Sequence, residues 1–349
     1  MGPALFCTPS AGNRHTCLRG CGPPGASSPS TSPSCGERRA ISAIARLGIP
    51  EVSGIIVGMP TGTCRLCHNH DVDLRDSHFI SSGFYKLARD GTRANPNPVL
   101  VSESVSIVSS DQATDYLLCT ECEGRFNAGG EDWILKNCWH SESDFTLRAA
   151  LLETAPSPLS TPGFTIFEGV AAAANEPDKL AYFAASIFWR GAAHDWVFMR
   201  QKPKRLELGP YEEQLRSYLL GTGVFPEDAV LVVAISSGME RLRNMLITFP
   251  FLKSREPGFR QYRFSIPGIT FQLFLGKSIP FALRRLCSVR PPERHILMTE
   301  DVDDLNMKDG ASLIAKTRKA GALAKPDRSK RAPTNAGNSQ QRHGRSTTG

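Results

Sequence analysis

The chain has 349 residues, of which 40% are hydrophobic, so it can bury the core of one large domain or of two modest ones. Its formal net charge of +7 resides at the ends: residues 316–349 hold nine Lys or Arg and one Asp, and residues 1–58 hold five Arg and two Glu. Residues 59–315 hold 27 basic and 31 acidic side chains, so the overall charge does not indicate a nucleic-acid-binding core. The longest uncharged apolar run has 11 residues, which is too short to cross a bilayer.

Both ends of the chain are predicted to lack a packed core. The first 36 residues contain no Asp or Glu and are rich in Pro, Gly, Ser and Cys, a composition that cannot bury enough apolar surface to fold. We expect residues 1–58 to be a disordered or non-native N-terminal extension, with Met59 as a natural start; a transit peptide is the alternative. Residues 308–349 lack apolar periodicity and are predicted to be a basic disordered tail.

Between the ends, the sequence predicts two domains of an α+β protein. Residues 59–150 contain two cysteine pairs, residues 165–307 contain helices followed by strands, and a Pro-rich stretch at 154–165 connects them. Disulfide frameworks belong mainly to small secreted domains, and the cysteines of this chain are spread unevenly. We therefore expect a cytoplasmic protein with reduced thiols and no membrane partner.

The strongest motif is a pair of Cys-x2-Cys sequences formed by Cys64 and Cys67 and by Cys119 and Cys122. Each pair lets a tight turn direct two thiolates at one ion, and two pairs complete the tetrahedral set that structural zinc prefers. The 51 residues between the pairs exceed the usual spacing of roughly 15–20, so they must carry structure of their own. The predicted cofactor is one structural Zn²⁺; four buried free thiols are the alternative.

The spacer is predicted to contain a strand end followed by a short helix, and then two further strands. A strand end passes into a helix over residues 77–87, and strand-like alternation returns at 104–109 and at 116–118, directly before Cys119. After Cys122 the pattern becomes helical, is weakened by two glycines at 129–130, and resumes at 131–138.

The second domain is predicted to consist of a helical segment followed by an antiparallel sheet. Apolar residues at helical spacing indicate helices over 178–196 and 211–220, the second closed by a glycine. The strand predictions that follow cover residues 230–235, 245–251, 262–266 and 269–275. A Pro-Gly turn between the last two predicts that they pair as a hairpin.

The order Cys-x2-Cys, then Ser77-His78-Phe79-Ile80, then Leu-Cys-x2-Cys-Glu123 resembles the zinc-bearing HNH-endonuclease family of prokaryotic proteins, which has a treble-clef (ββα-metal) fold. The resemblance covers about residues 60–140. It implies an endonuclease acting on DNA or RNA, in which His78 is the general base that deprotonates water. It also implies a catalytic Mg²⁺ or Mn²⁺ that stabilises charge on the leaving oxygen.

This chain departs from the family pattern at several positions. Ser77 precedes His78 where a metal-binding Asp or His is usual, although Asp76 is adjacent. Thr114 and its neighbour Asp115 lie near the position of an orienting Asn, and Glu123 follows the fourth cysteine where His or Asn is common. The catalytic residues implied by the resemblance are therefore His78, Asp76 and Glu123.

A second class of function remains open, in which the chain is a catalytically inactive zinc-stabilised binding or interaction module. In that case His78 is structural and Glu123 lies on a solvated helix face. The sequence Trp189-Arg190, which resembles a motif found downstream in proteins of this kind, then belongs to a packed core with a snorkelling Arg. The basic tail either contacts nucleic acid or only aids solubility.

Overall fold

The computed structural model of the chain describes residues 4–6, 59–91, 94–101, 106–169, 176–198, 202–239, 245–290 and 294–299. The predictions for residues 308–349, and for residues 1–58 other than 4–6, lie outside the described residues. Within the described ranges the fold is α+β, as predicted, with a sheet-rich second half.

The strands fall into four sheets. In chain order they are β1 Ala4–Phe6, β2 Thr61–Gly62, β3 Val72–His78, β4 Val99–Val101, β5 Ser106–Val108, β6 Thr114–Cys119, β7 Trp139–Ser141, β8 Asp144–Phe145, β9 Phe164–Glu168, β10 Ala229–Ser236, β11 Ile247–Thr248, β12 Phe251–Glu256, β13 Phe259–Ile266, β14 Ile269–Leu275 and β15 His295–Thr299. The helices are α1 Ser82–Leu87, α2 Thr120–Phe126, α3 Asp132–Asn137, α4 Thr146–Leu152, α5 Pro177–Ala193, α6 Tyr211–Leu220 and α7 Phe281–Arg285. A π-helical turn, Asn127–Glu131, joins α2 to α3.

The largest sheet has six strands in the order β12-β13-β14-β10-β15-β9. Strand β10 is apolar along almost its whole length and buried at every position, which is typical of a strand covered on both faces. The sheet is antiparallel as predicted, except that β10 and β15 are parallel. The Pro-rich connection at 154–165 runs directly into the edge strand β9.

The predicted Pro-Gly hairpin is confirmed, because β13 and β14 pair antiparallel across Pro267 and Gly268. Gly268 has a φ of 75°, and a Cβ there would lie 2.7 Å from the Phe145 ring, so only glycine fits. The prediction of one strand over 245–251 is wrong, since β11 covers two residues and β12 starts only at Phe251. Pro250 separates them, because proline has no backbone N–H to donate to a ladder.

Helix α5 lies between the cysteine-bearing elements and the six-stranded sheet. It is confirmed as a helix, and it ends three residues earlier than predicted, with His194 in an extended conformation. On the sheet side, the Phe183 ring lies 5.7 Å from the Phe271 ring, and the Phe188 ring lies 5.0 Å from the Phe264 ring. Nearly every position of α5 is buried, so this helix forms the centre of the core.

Helix α6, predicted over residues 211–220, has those same bounds because Gly221 ends it in the left-handed conformation at φ 75°. It packs on α5 and on α2 through side chains that donate to its last carbonyls. The Tyr182 hydroxyl donates to the Leu219 carbonyl at 2.7 Å, and the Arg125 guanidinium donates to the Leu220 carbonyl at 3.1 Å. These bonds satisfy acceptors that a helix end leaves free.

One buried apolar cluster includes side chains from both sides of the predicted domain boundary, among them Phe126 and Phe264. The described residues from Pro60 onward belong to one compact unit. Strand β1 pairs with β4 on one side and with β11 on the other, so Ala4–Phe6 differs from the expectation of an unstructured N-terminus. In the described ranges, no helix is both long enough and apolar enough to span a membrane.

Candidate metal centre

The first cysteine pair lies in a tight turn between β2 and β3. The Cys64 amide donates to the Asn69 carbonyl at 3.0 Å, and the His68 amide donates to the Cys64 carbonyl at 2.9 Å. His68 has a φ of 61°, in the left-handed region that non-glycine residues seldom occupy. Cys64 and Leu66 are fully buried. The turn is therefore closed by its own backbone, and both of its thiols lie close to the second cysteine pair.

The second pair lies where β6 runs into α2. Strand β6 pairs antiparallel with β3, with Cys119 opposite Leu74, and Cys119 is also the N-cap residue of α2. Cys122 follows in the first turn of that helix. Because free N–H groups and the positive end of the helix dipole meet at a helix start, thiolate charge is favoured there. The predicted strand end and short helix at 77–87 correspond to β3 and α1, and the predicted strands at 104–109 and 116–118 correspond to β5 and β6.

The four thiols form one cluster. Their Sγ atoms all lie within 4.8 Å of one another, and Cys67 Sγ is 3.9 Å from Cys119 Sγ. Four sulfurs at about 2.3 Å from a zinc ion are separated by about 3.8 Å in a tetrahedron. All four cysteines are free thiols, and three of them are buried, with Cys67 partly exposed. The cluster therefore fits a Zn²⁺ ion.

The electrostatics of the cluster also favour a cation. The pKa of Cys64 is lowered to about 4, first by the hydrogen bond from the Cys122 thiol and then by the backbone amides of Cys67, Cys119 and Leu66. The pKa of Cys122 is raised, mainly because its proton serves the Cys64 thiolate, and burial raises the pKa of Cys67. The Cys64 thiolate thus keeps the Cys122 thiol protonated. A bound dication removes this repulsion, so that the four sulfurs bind as thiolates.

The catalytic residues implied by the resemblance do not form a second ion site. His78 is the last residue of β3 and is partly buried, whereas Asp76 is exposed. The two side chains lie on the same face of the strand, because successive side chains alternate between faces. Among the described residues, the four cysteines are the one group of three or more His, Cys, Asp or Glu side chains close enough to hold an ion. Asp76, His78 and Glu123 are therefore not brought together as one.

Glu123 instead faces the interior. Its Oε2 atom lies 3.9 Å from Nη2 of Arg190, a residue of α5 that is 1% exposed. The Ser77 hydroxyl donates to the Arg75 carbonyl at 3.3 Å and accepts from the Leu118 amide at 3.3 Å. It therefore bonds the antiparallel pair of β3 and β6, the β3–β6 hairpin, whose two strands are far apart in sequence.

The candidate orienting positions are also occupied elsewhere. Thr114 is paired opposite His78 in the ladder, but the Asp115 carboxylate contacts His194 at 2.7 Å. The prediction of a snorkelling Arg190 is wrong, because the side chain is fully buried among α5, α2 and the π-helical turn. The sequence analysis did not assign a role to Glu131, which is 4% exposed and bonds Arg190. The available signal was a lone arginine inside an otherwise apolar helix.

Comparisons of the chain with models of protein families, with curated proteins and with solved structures found no match. The features that bear on function are therefore the cysteine cluster, the strands and helix around it, and the residues that surround His78.

Proposed function

We propose that the chain is a zinc protein in which Cys64, Cys67, Cys119 and Cys122 hold one structural Zn²⁺ and close a unit of the treble-clef type. The support is the thiol cluster itself, with sulfur separations close to those of a tetrahedral zinc site. The ion ties the turn before β3 to the start of α2, and so fixes the β3–β6 hairpin against the helix. Such a site contributes folding free energy directly.

The second part of the proposal is that this unit binds a partner rather than carrying out hydrolysis. The observation that carries it is the orientation of Glu123, whose carboxylate faces the buried Arg190 guanidinium instead of an exposed groove beside His78. Ser77, at the usual ligand position, is buried and bonded to the hairpin backbone. Neither side chain is therefore available to hold a catalytic Mg²⁺ or Mn²⁺.

The contact surface that we propose is the exposed face of the β3–β6 hairpin. Asp76 lies opposite Tyr116 in the ladder, and His78 follows two residues later on the same face. Tyr116 is 49% exposed, which is unusual for a large aromatic side chain. An exposed flat aromatic ring suits stacking on a nucleic-acid base, and nine Lys or Arg in residues 316–349 would add phosphate affinity. The proposed partner is therefore DNA or RNA.

A second candidate is the HNH-like endonuclease, and the position of His78 favours it. His78 ends β3 inside a hairpin closed by the cysteine pairs, as the resemblance requires of a general base, and Asp76 shares its face.

One experiment separates the two candidates. The zinc-loaded chain is mixed with labelled single-stranded and double-stranded DNA and RNA, with and without Mg²⁺ or Mn²⁺, and binding and cleavage are followed together. Binding without cleavage, weakened by Tyr116→Ala, supports the binding module. Cleavage that needs the divalent ion supports the endonuclease. If no nucleic acid binds in low salt, the proposed partner class is wrong.

A further inference from the structure

Arg190 is a charged residue at the centre of the core. It lies in α5, where most of its neighbours in sequence are apolar and buried, and its own side chain is 1% exposed. Arginine is almost never fully buried unless it is paired, since the loss of water around an unpaired charge costs several kcal/mol. The surroundings of its guanidinium must therefore supply what water would supply.

Three oxygen atoms from the zinc-bearing part of the chain surround the guanidinium. Arg190 Nη1 lies 2.5 Å from Glu131 Oε1 and donates to the Phe79 carbonyl at 3.4 Å, while Nη2 lies 3.9 Å from Glu123 Oε2. The guanidinium carbon lies 4.6 Å from the centre of the Phe126 ring. Oxygen acceptors combined with an aromatic face are the groups that bind a planar cation.

The elements that supply these groups all adjoin the cysteine cluster. Glu123 directly follows the fourth cysteine, Phe79 directly follows β3, and Glu131 ends the π-helical turn. A Cβ at Gly130 would lie 2.6 Å from the Lys179 carbonyl, so glycine is what lets this turn approach α5. The site is therefore formed by the hairpin and the α2–α3 segment, and the cation enters it from α5.

The site has capacity that the guanidinium does not use. Two carboxyl groups face one guanidinium, and the carboxylate oxygen Glu123 Oε1 is shielded from solvent without a hydrogen-bond partner among the described residues. Arg190 Nε is likewise shielded and without a partner there. Two carboxyl groups around a single cation, Glu131 buried and Glu123 with 19% of its side chain exposed, favour occupation of the site by positive charge.

We propose that Glu123, Glu131 and the Phe79 carbonyl form a buried cation-binding site, which the guanidinium of Arg190 fills from within the chain. The ligand class is a planar guanidinium ion. The nitrogen–oxygen distances of 2.5 to 3.9 Å and the Phe126 ring suit such an ion. Mg²⁺ instead demands oxygens at about 2.1 Å in octahedral geometry. The inference is independent of what the hairpin face binds.

The test is chemical rescue of the full-length zinc-loaded protein. Arg190→Ala leaves the carboxylates without their cation, and its melting temperature should fall on the order of 10 °C. Guanidinium chloride at tens of millimolar, far below denaturing concentrations, should raise that temperature by about 3 °C or more relative to equal NaCl, as expected when a ligand reaches ten times its dissociation constant. MgCl₂ at equal ionic strength should give no such rise.

The matched control is Phe188→Ala, which opens a cavity in the same helix without removing a charge, because Phe188 is also fully buried. Guanidinium should not raise its melting temperature. An equal response of Arg190→Ala and Phe188→Ala to guanidinium would overturn the proposal. So would an Arg190→Met protein that melts at or above the native temperature with full zinc content.

A second comparison serves if Arg190→Ala does not fold. Glu131→Gln alone should lower the melting temperature more than Glu131→Gln combined with Arg190→Met, because the single variant strands a buried cation and the double variant removes it. If the double variant instead loses the sum of the losses of Glu131→Gln and Arg190→Met, then Arg190 and Glu131 do not form one site and the inference is refuted.

Discussion

The guanidinium of Arg216, in α6, donates a 2.6 Å hydrogen bond to the carbonyl of Leu66, which lies between the first two cysteines. The same side chain forms an ion pair with Glu213 on its own helix and is 18% exposed. Helix α6 therefore contacts the turn that holds the first cysteine pair, although 150 residues separate the two partners in sequence. A change in the conformation of this turn is therefore expected to alter the stability of α6.

Removal of zinc should loosen α6 as well as the cysteine turns. Chelation, or Cys119→Ser with Cys122→Ser, releases the turn whose Leu66 carbonyl Arg216 holds, and the ion's folding free energy is lost. Hydrogen exchange followed by mass spectrometry should show faster exchange in both Tyr211–Leu220 and the cysteine turns. The hairpin of β13 and β14 is the internal reference. Unchanged protection of α6 after full zinc loss would limit the effect of the ion to its own loops.

Arg216→Ala should destabilise the native protein by about 1–3 kcal/mol, since it leaves the buried carbonyl of Leu66 without its donor. Chemical denaturation at fixed zinc concentration measures the loss. Arg255→Ala is the control, because Arg255 pairs with Glu207 at the surface, where both side chains are more than half exposed. That variant should unfold at the native midpoint. Equal midpoints for the two variants would contradict a role for the Leu66 contact.

Gly130→Ala should destabilise the protein by about 1–3 kcal/mol, because its Cβ would press on the backbone of α5 at 2.6 Å. Gly124→Ala provides the contrast in the preceding helix. A Cβ at Gly124 meets nothing within 4 Å, so alanine there should stabilise α2 by about 0.5–1 kcal/mol. Thermal unfolding of both variants shows whether each substitution raises or lowers the melting temperature. If both variants were destabilised alike, the loss of stability would come from replacing a glycine as such, and not from the close approach of residue 130 to α5.

His78→Ala should leave zinc content and melting temperature nearly unchanged, because His78 is outside the thiol cluster and only partly buried. Under the binding-module proposal, the affinity of the variant for nucleic acid falls modestly, and neither the native chain nor the variant cleaves nucleic acid. If the chain is an endonuclease instead, cleavage should fall on the order of 10²–10⁴. Metal analysis, melting curves and a nicking assay on the same preparations cover these outcomes. Zinc loss in this variant would show that His78 is structural.

Local patterns in the sequence were enough to predict several elements. The α6 bounds follow from apolar spacing closed by Gly221, and the strand β14 follows from its apolar run after a Pro-Gly turn. The cysteine spacing predicted which four thiols lie together, because metal ligands in tight turns are local by nature. Within each helix, strand or cysteine pair, these predictions needed only residues a few positions apart, and the two pairs were joined by the four ligands that structural zinc prefers.

The network around Arg190 could not be predicted in this way. Its partners Glu131 and Phe79 lie 59 and 111 residues away, and no periodic pattern encodes such a contact. The alternative placement of Glu123 on a solvated helix face could not be judged locally for the same reason, because its carboxylate faces the Arg190 guanidinium of α5. Likewise, the parallel pairing of β10 with β15 is set by topology rather than by composition.

The position of β15 has a consequence for how the chain is made. Among the described strands, β9 pairs in the six-stranded sheet with β15 alone, and β15 also covers the open side of β10. The ribosome must therefore synthesise residues up to Thr299 before β9 and the open edge of β10 gain their partner strand. The cysteine-bearing elements emerge from the ribosome much earlier. A nascent or truncated chain ending before His295 would expose the apolar strand β10 along one edge, and such an edge is a template for aggregation. Translation that stalls in this interval should therefore create the most chaperone-dependent form of the protein.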